Sequence, residues 1–320
     1  MLLQCLLIIV GVALVLWGAD RLTEGAAALA RRLSVPEIVI GLTIVAAGTS
    51  APELFVSVVS ALNGTPDLAV GNVVGSNTMN AMLIVGAAAM AAPMVISPGT
   101  VKKDLPFAIA ASLLLLVLCL DSFSRLSIGG NVISRADGVV LLLGFALFMG
   151  YTLRVARQSG AEAAQPATSP HAPVWRSLLF VVVGLTCLVV GSNLFVDAAT
   201  AVAQQLGVSQ SVIGLTIVAG GTSLPELATS VVAARKGQSA IAIGNVIGSN
   251  VFNILLILGL TAVITPMQIG GITLVDLLVM LVSMVAVWMF SYTKLTVARW
   301  EGAVLTAGYL AYLAWLLSHI

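Results

Sequence analysis

Charge is what this sequence has least of. Aspartate, glutamate, lysine and arginine make up 8% of its 320 residues, against roughly a quarter in a soluble chain, and they nearly cancel to a net charge of +1. With no basic stripe to neutralise phosphates, a nucleic-acid partner is excluded. Histidine occurs only at His171 and His319, and cysteine only at Cys5, Cys119 and Cys187, each alone in its stretch. That scatter offers no zinc or copper site, and the cysteines read as small apolar residues. No histidine or lysine is placed to act as a base for the repeated serines Ser50 and Ser223, so nothing points to an enzyme.

What is abundant is apolar surface. Hydrophobic residues make up 59% of the chain and the mean hydropathy is +1.11. Runs of about 20 apolar residues, enough for a hydrocarbon core of roughly 30 Å, follow one another almost without pause. The pattern predicts an all-α integral membrane protein with ten helices, at about 2–31, 35–61, 67–91, 104–120, 135–155, 174–205, 208–234, 240–263, 273–291 and 299–317. Between the fifth and sixth lies a linker rich in alanine, serine and proline from Arg157 to Pro173. The first apolar run lacks a basic start and an obvious cleavage site, so it reads as a retained helix rather than a signal peptide.

The two halves repeat each other. Gly41 to Leu54 reads GLTIVAAGTSAPEL and Gly214 to Leu227 reads GLTIVAGGTSLPEL, while VGNVVGSNTMN from Val70 is echoed by IGNVIGSNVFN from Ile243. All four blocks obey one offset of 173 residues. Lysine and arginine divide twelve to two between the two sets of loops, the minority being Arg125 and Arg135. The positive-inside rule then places the linker in the cytoplasm and both termini outside. Five helices per repeat is an odd number, so the second copy enters from the opposite side. The expected organisation is a first inverted repeat over 1–155, a cytoplasmic linker over 156–173 and a second inverted repeat over 174–320, a plan used by secondary transporters.

Each repeat carries a carboxylate at membrane depth, Glu53 and Glu226, with no lysine or arginine nearby in sequence. Such a group costs roughly 2.5 to 3.5 kcal/mol even on the lenient insertion scale, so a cation or a proton must satisfy it. Pro52 and Pro225 leave the carbonyls of Gly48 and Gly221 without their helical donors. The hydroxyls of Thr49, Ser50, Thr222 and Ser223 add neutral oxygens, and Ser76, Asn80, Ser249 and Asn253 add more from the second block. An all-oxygen set suits a hard cation, calcium or sodium.

The motifs GTS-x-PE and GN-x-x-GSN-x-x-N, each present in both halves, resemble the two repeats of the cation/calcium exchanger superfamily, specifically the sodium/calcium exchanger type in its prokaryotic form. The resemblance covers essentially the whole chain and implies antiport of calcium against sodium across the plasma membrane, with the ions as substrates and no cofactor. It also implies that the first and sixth helices move against the rest. Carried over by position, Glu53 and Glu226 are the shared ligands, and Thr49 and Thr222 give carbonyls to calcium. Ala46, Ser50, Ser76, Ala219, Ser223 and Ser249 complete flanking sodium sites, with Asn80 and Asn253 in the middle. Potassium-dependent relatives carry aspartate where this chain has Asn253, which argues against potassium coupling. Proton-coupled relatives place the glutamate in a GN-x-x-E context, which this chain lacks; calcium/proton antiport through the same carboxylates is the alternative.

Other repeated residues read as structural. Gly71, Gly75, Gly244 and Gly248 have the spacing that lets membrane helices approach. Asn72, Asn77, Asn245 and Asn250 read as cross-links between helices, and Asp137 and Glu301 as helix caps. Asp20, Asp104, Asp121 and Asp276, near helix ends, are expected at the membrane interface.

Overall fold

Long apolar runs can satisfy their backbone groups in lipid only by coiling into helices, and the chain does so throughout. The computed structural model describes residues 2–123, 132–162, 174–207, 217, 219–269 and 272–318. The helices are α1 (Leu2–Leu33), α2 (Glu37–Thr49), α3 (Ala51–Leu62), α4 (Leu68–Ala91), α5 (Thr100–Leu120) and α6 (Arg135–Glu162) in the first half. The second half has α7 (Val174–Gln205), α8 (Ala219–Thr222), α9 (Leu224–Arg235), α10 (Ser239–Ile264), α11 (Leu274–Lys294) and α12 (Arg299–Ser318). Among the described residues seven helices are long and apolar enough to cross a membrane, or eight if α2 and α3 count as one span bent by 46°. Residues 208–216 and 218 of the expected helix 208–234 lie outside the described residues.

The bend has a local cause. Pro52 and Pro225 sit in the first turns of α3 and α9, and the residues before those helices, Ser50 (φ −81°, ψ 6°) and Ser223 (φ −90°, ψ 7°), leave helical geometry. The same hexapeptide therefore breaks its helix in both halves. Gly64 (φ +78°) and Gly237 (φ +73°) then end α3 and α9 in the left-handed conformation that glycine adopts without strain. Further along, α4 and α10 each contain π-helical turns, Asn80–Ile84 and Phe252–Leu258, a distortion common at functional sites.

Among the described residues, four two-residue strands tie the halves together. β1 (Met94–Val95) pairs antiparallel with β4 (Thr296–Val297), and β2 (Val132–Ile133) with β3 (Met267–Gln268). β1 and β3 occupy equivalent places in the repeat, so each half lends a strand to the other. Asp104 and Asp276 have partners that their places near helix ends did not announce. Both are buried, accepting the hydroxyls of Tyr151 (3.0 Å) and Tyr312 (2.6 Å), and so fasten α5 to α6 and α11 to α12. The backbone N–H of Ser134 donates to Asp137, and that of Ala298 to Glu301, making both carboxylates helix caps as expected. Asp121's side chain is outside what the structure describes.

The long helices α1 and α7 pack on each other through glycine. A Cβ on Gly11 would lie 2.8 Å from the Gly191 carbonyl, and one on Gly18 2.8 Å from that of Gly184. These two contacts exchange under the offset of 173, so the pair is symmetric about its own crossing. Gly244 and Gly248 likewise sit against α2, where added Cβ atoms would come within 3.0 Å of the Ile38 carbonyl and 2.8 Å of that of Leu42. No described residue comes within 4 Å of such an atom on Gly71 or Gly75; the counterparts of Ile38 and Leu42 fall at 211 and 215, outside the described residues. The pairing predicts that Gly184→Val, whose Cβ would meet the Leu22 nitrogen at 2.6 Å, lowers stability by about 1 to 3 kcal/mol or more. Gly150→Val, with nothing within 4 Å, should leave the thermal unfolding midpoint in detergent unchanged.

Candidate ion site

Glu53 and Glu226 stand in the first turns of α3 and α9, just past the breaks, and both are fully buried. The bonds that hold them cross between the halves. Ser50 of the first hexapeptide donates to Glu226 Oε1 at 3.0 Å, and Ser223 of the second donates to Glu53 Oε1 at 3.1 Å. Thr49 and Thr222 interact with the same opposite carboxylates. Ser249 adds a longer bond to Glu226 at 3.4 Å. Each hexapeptide thus supplies a serine hydroxyl to the other's glutamate.

Behind the carboxylates lies a frame of asparagines. Asn77 Nδ2 donates to the Asn250 carbonyl at 3.2 Å and Asn250 Nδ2 to the Asn77 carbonyl at 3.3 Å. Asn80 Nδ2 then reaches Asn250 Oδ1 (2.9 Å), and Asn253 Nδ2 reaches Asn77 Oδ1 (3.0 Å). Asn72 and Asn245 brace the glutamates from below, each donating to a glutamate carbonyl at 3.4 Å and to Ser57 or Ser230 at 3.2 and 3.1 Å. The cross-linking role expected of Asn72, Asn77, Asn245 and Asn250 is what the geometry displays. Sequence reading missed Ser57 and Ser230, although both stand four residues after a glutamate in the repeat. It also missed Ser192, whose hydroxyl donates to the Gly221 carbonyl at 3.0 Å, one of the two carbonyls freed by proline.

What is left over points one way. Glu53 Oε2, Glu226 Oε2, Asn80 Oδ1, Asn253 Oδ1 and Ser76 Oγ are buried without a hydrogen-bond partner. Buried polar atoms ordinarily have partners, and these belong to both carboxylates and to three of the residues expected beside them. Among the described residues every ion pair lies elsewhere, on Asp20, Arg21, Glu24, Arg31, Glu37 and Lys236, and no basic group reaches either glutamate. Of the remaining expected residues, Ala46 is buried at the end of the π-helical turn in α2, and Ala219 opens α8.

The family model described as "Sodium/calcium exchanger protein" matches residues 3–154 and 176–318. The chain belongs to this family. It is 33% identical to the sodium/calcium exchanger MaX1 of Methanosarcina acetivorans, over 96% of this chain and 97% of that one. It is 36% identical to the inner membrane protein YrbG of Escherichia coli, over 99% and 97%. Its fold matches solved structures of the sodium-calcium exchanger NCX_Mj with a TM-score of 0.84 at 29% identity, covering 98% of both chains. The protein is thus a multi-pass membrane antiporter of the exchanger family and not an enzyme.

The asparagine frame yields a contrast in stability. Asn250→Leu strips Asn80 of its acceptor and the Asn77 carbonyl of its donor, costing about 1 to 3 kcal/mol for each group left unsatisfied. Thr229 has a buried hydroxyl with no partner and corresponds to Val56 in the first half. Thermal unfolding should show a lower midpoint for Asn250→Leu and an unchanged or higher one for Thr229→Val.

Proposed function

We propose that the protein exchanges calcium for sodium across the plasma membrane by alternating access, with the ions held between Glu53 and Glu226. One observation carries this reading: two fully buried carboxylates, one from each half, each with an unpartnered oxygen and no basic residue to neutralise it. Calcium takes six to eight oxygens in forgiving geometry, and two carboxylates balance its charge. Asn80 and Asn253 offer buried, unpartnered carbonyl oxygens, and Thr49 and Thr222 at the helix breaks supply backbone carbonyls. Ala46, Ser50 and Ser76 in the first half, and Ala219, Ser223 and Ser249 in the second, hold sodium on either side. Broken helices at membrane depth are tolerated where they line such a site.

The repeat supports the transport cycle. Ten helices form two inverted five-helix units, 1–155 and 174–320, joined by the cytoplasmic linker 156–173 with both termini outside. A site built equally from both units can open to one face and then the other. Sodium as the coupling ion is supported by the names of MaX1 and NCX_Mj, both sodium/calcium exchangers. Protons are the second reading, since the same two unpartnered carboxylate oxygens could each accept one.

Two experiments test this. Glu53→Gln and Glu226→Gln should each abolish calcium uptake into proteoliposomes while leaving the protein folded; normal uptake by either variant would sink the assignment. Wild-type vesicles loaded with sodium should take up calcium, whereas vesicles loaded with choline should not. Uptake driven by a pH gradient without sodium would make the protein proton-coupled. With three sodium ions per calcium, one charge crosses per cycle, worth about 2.3 kcal/mol per 100 mV, so the rate should also follow the imposed potential.

A further inference from the structure

The two halves share a sequence plan, yet the α1–α7 pair does not sit on them equally. α1 packs along α9, on which Ala228 is buried. The equivalent contact, α7 along α3, is all but missing among the described residues, and Phe55, the counterpart of Ala228, is 70% exposed. In an inverted repeat each half can adopt the conformation of the other, so the uncovered face of α3 is a second seat for the same pair.

The polar contacts holding the pair in its present seat change character at the equivalent positions of the other. Lys236, just past the end of α9, donates to Asp20 Oδ1 at 2.6 Å, to the Asp20 carbonyl at 2.9 Å and to Thr23 Oγ1 at 3.1 Å, all on α1. Its three donors are thereby used. Ser192 on α7 donates to the Gly221 carbonyl of α8. At the offset of 173, Lys236 becomes Asn63, Asp20 becomes Asn193, Thr23 becomes Val196 and Ser192 corresponds to Ala19. An ion pair, a lysine bond to a hydroxyl and a serine bond to a carbonyl are thus each replaced by groups that cannot form them.

We infer that Lys236, Asp20, Thr23 and Ser192 are positioning residues that latch the α1–α7 pair onto the second half, making this the favoured of two conformations in the transport cycle. The inference rests on the alternating-access reading above. Arg21 also pairs with Asp20 at 2.6 Å, so removing the lysine does not strand the carboxylate.

The test is cross-linking in a background where Cys5, Cys119 and Cys187 are replaced by serine. Asn63→Cys with Asn193→Cys can be bridged by a short bis-maleimide only when α7 occupies the second seat. Calcium uptake before cross-linking confirms that each variant is folded. Adding Lys236→Gln and Ser192→Ala should speed cross-linking about two- to fivefold, the range of a partly exposed ion pair; Asp20→Asn alone should act in the same direction. An unchanged rate with cross-linking still detected would overturn the latch and leave alternating access standing. No cross-link in any background, with sodium or with calcium, would overturn the two-seat reading and the latch with it.

Discussion

The fold is arranged so that two carboxylates lie together in the membrane interior without a basic residue. Left alone, Glu53 and Glu226 would repel each other and suffer the full penalty of burial. The protein spends one oxygen of each on a serine from the opposite half, Ser50 to Glu226 and Ser223 to Glu53, and leaves the other without a protein partner. In the proposed exchange, a positive ion completes each charge, which makes occupancy a part of folding energetics as well as of transport. Because the serine bonds cross, neither half can build this arrangement alone, and the proposed ion site lies where the halves meet.

That requirement explains the departures from regular helix. A continuous helix through residues 37–62 would hold its carbonyls in intrahelical bonds; the proline after Ser50 breaks it at the depth where oxygens are needed. The π-helical turns at Asn80 and Phe252 carry Asn80 and Asn253, whose amide nitrogens bond across to the partner half while their carbonyl oxygens stay unpartnered. Rigid asparagine ties behind the site and short strand pairs at its ends keep the two halves in register. The glycine-packed pair α1–α7 is joined to them more loosely, on one side.

Much of this was legible in the sequence because the repeat writes each functional position twice. The offset of 173 marks Glu53 and Glu226, their serines and the asparagines, and a proline after the serine marks the break. Hydropathy places the long helices to within a few residues. It does not reveal the partners of Asp104 and Asp276, since each hydroxyl donor is a tyrosine on a neighbouring helix, distant in sequence. Ser192 was invisible for the opposite reason: it differs from its counterpart Ala19, and a search for repeated residues passes over the positions where the repeat is broken. The crossing of the serine bonds was also out of reach, because spacing along the chain does not say which half a side chain faces.

Anomalous diffraction from crystals soaked in calcium tests the site most directly. One calcium peak within about 2.3 to 2.6 Å of carboxylate oxygens of both Glu53 and Glu226 is the expected result. A peak bound by one half alone, or calcium found elsewhere with the two glutamates unliganded, would contradict a site shared between the halves.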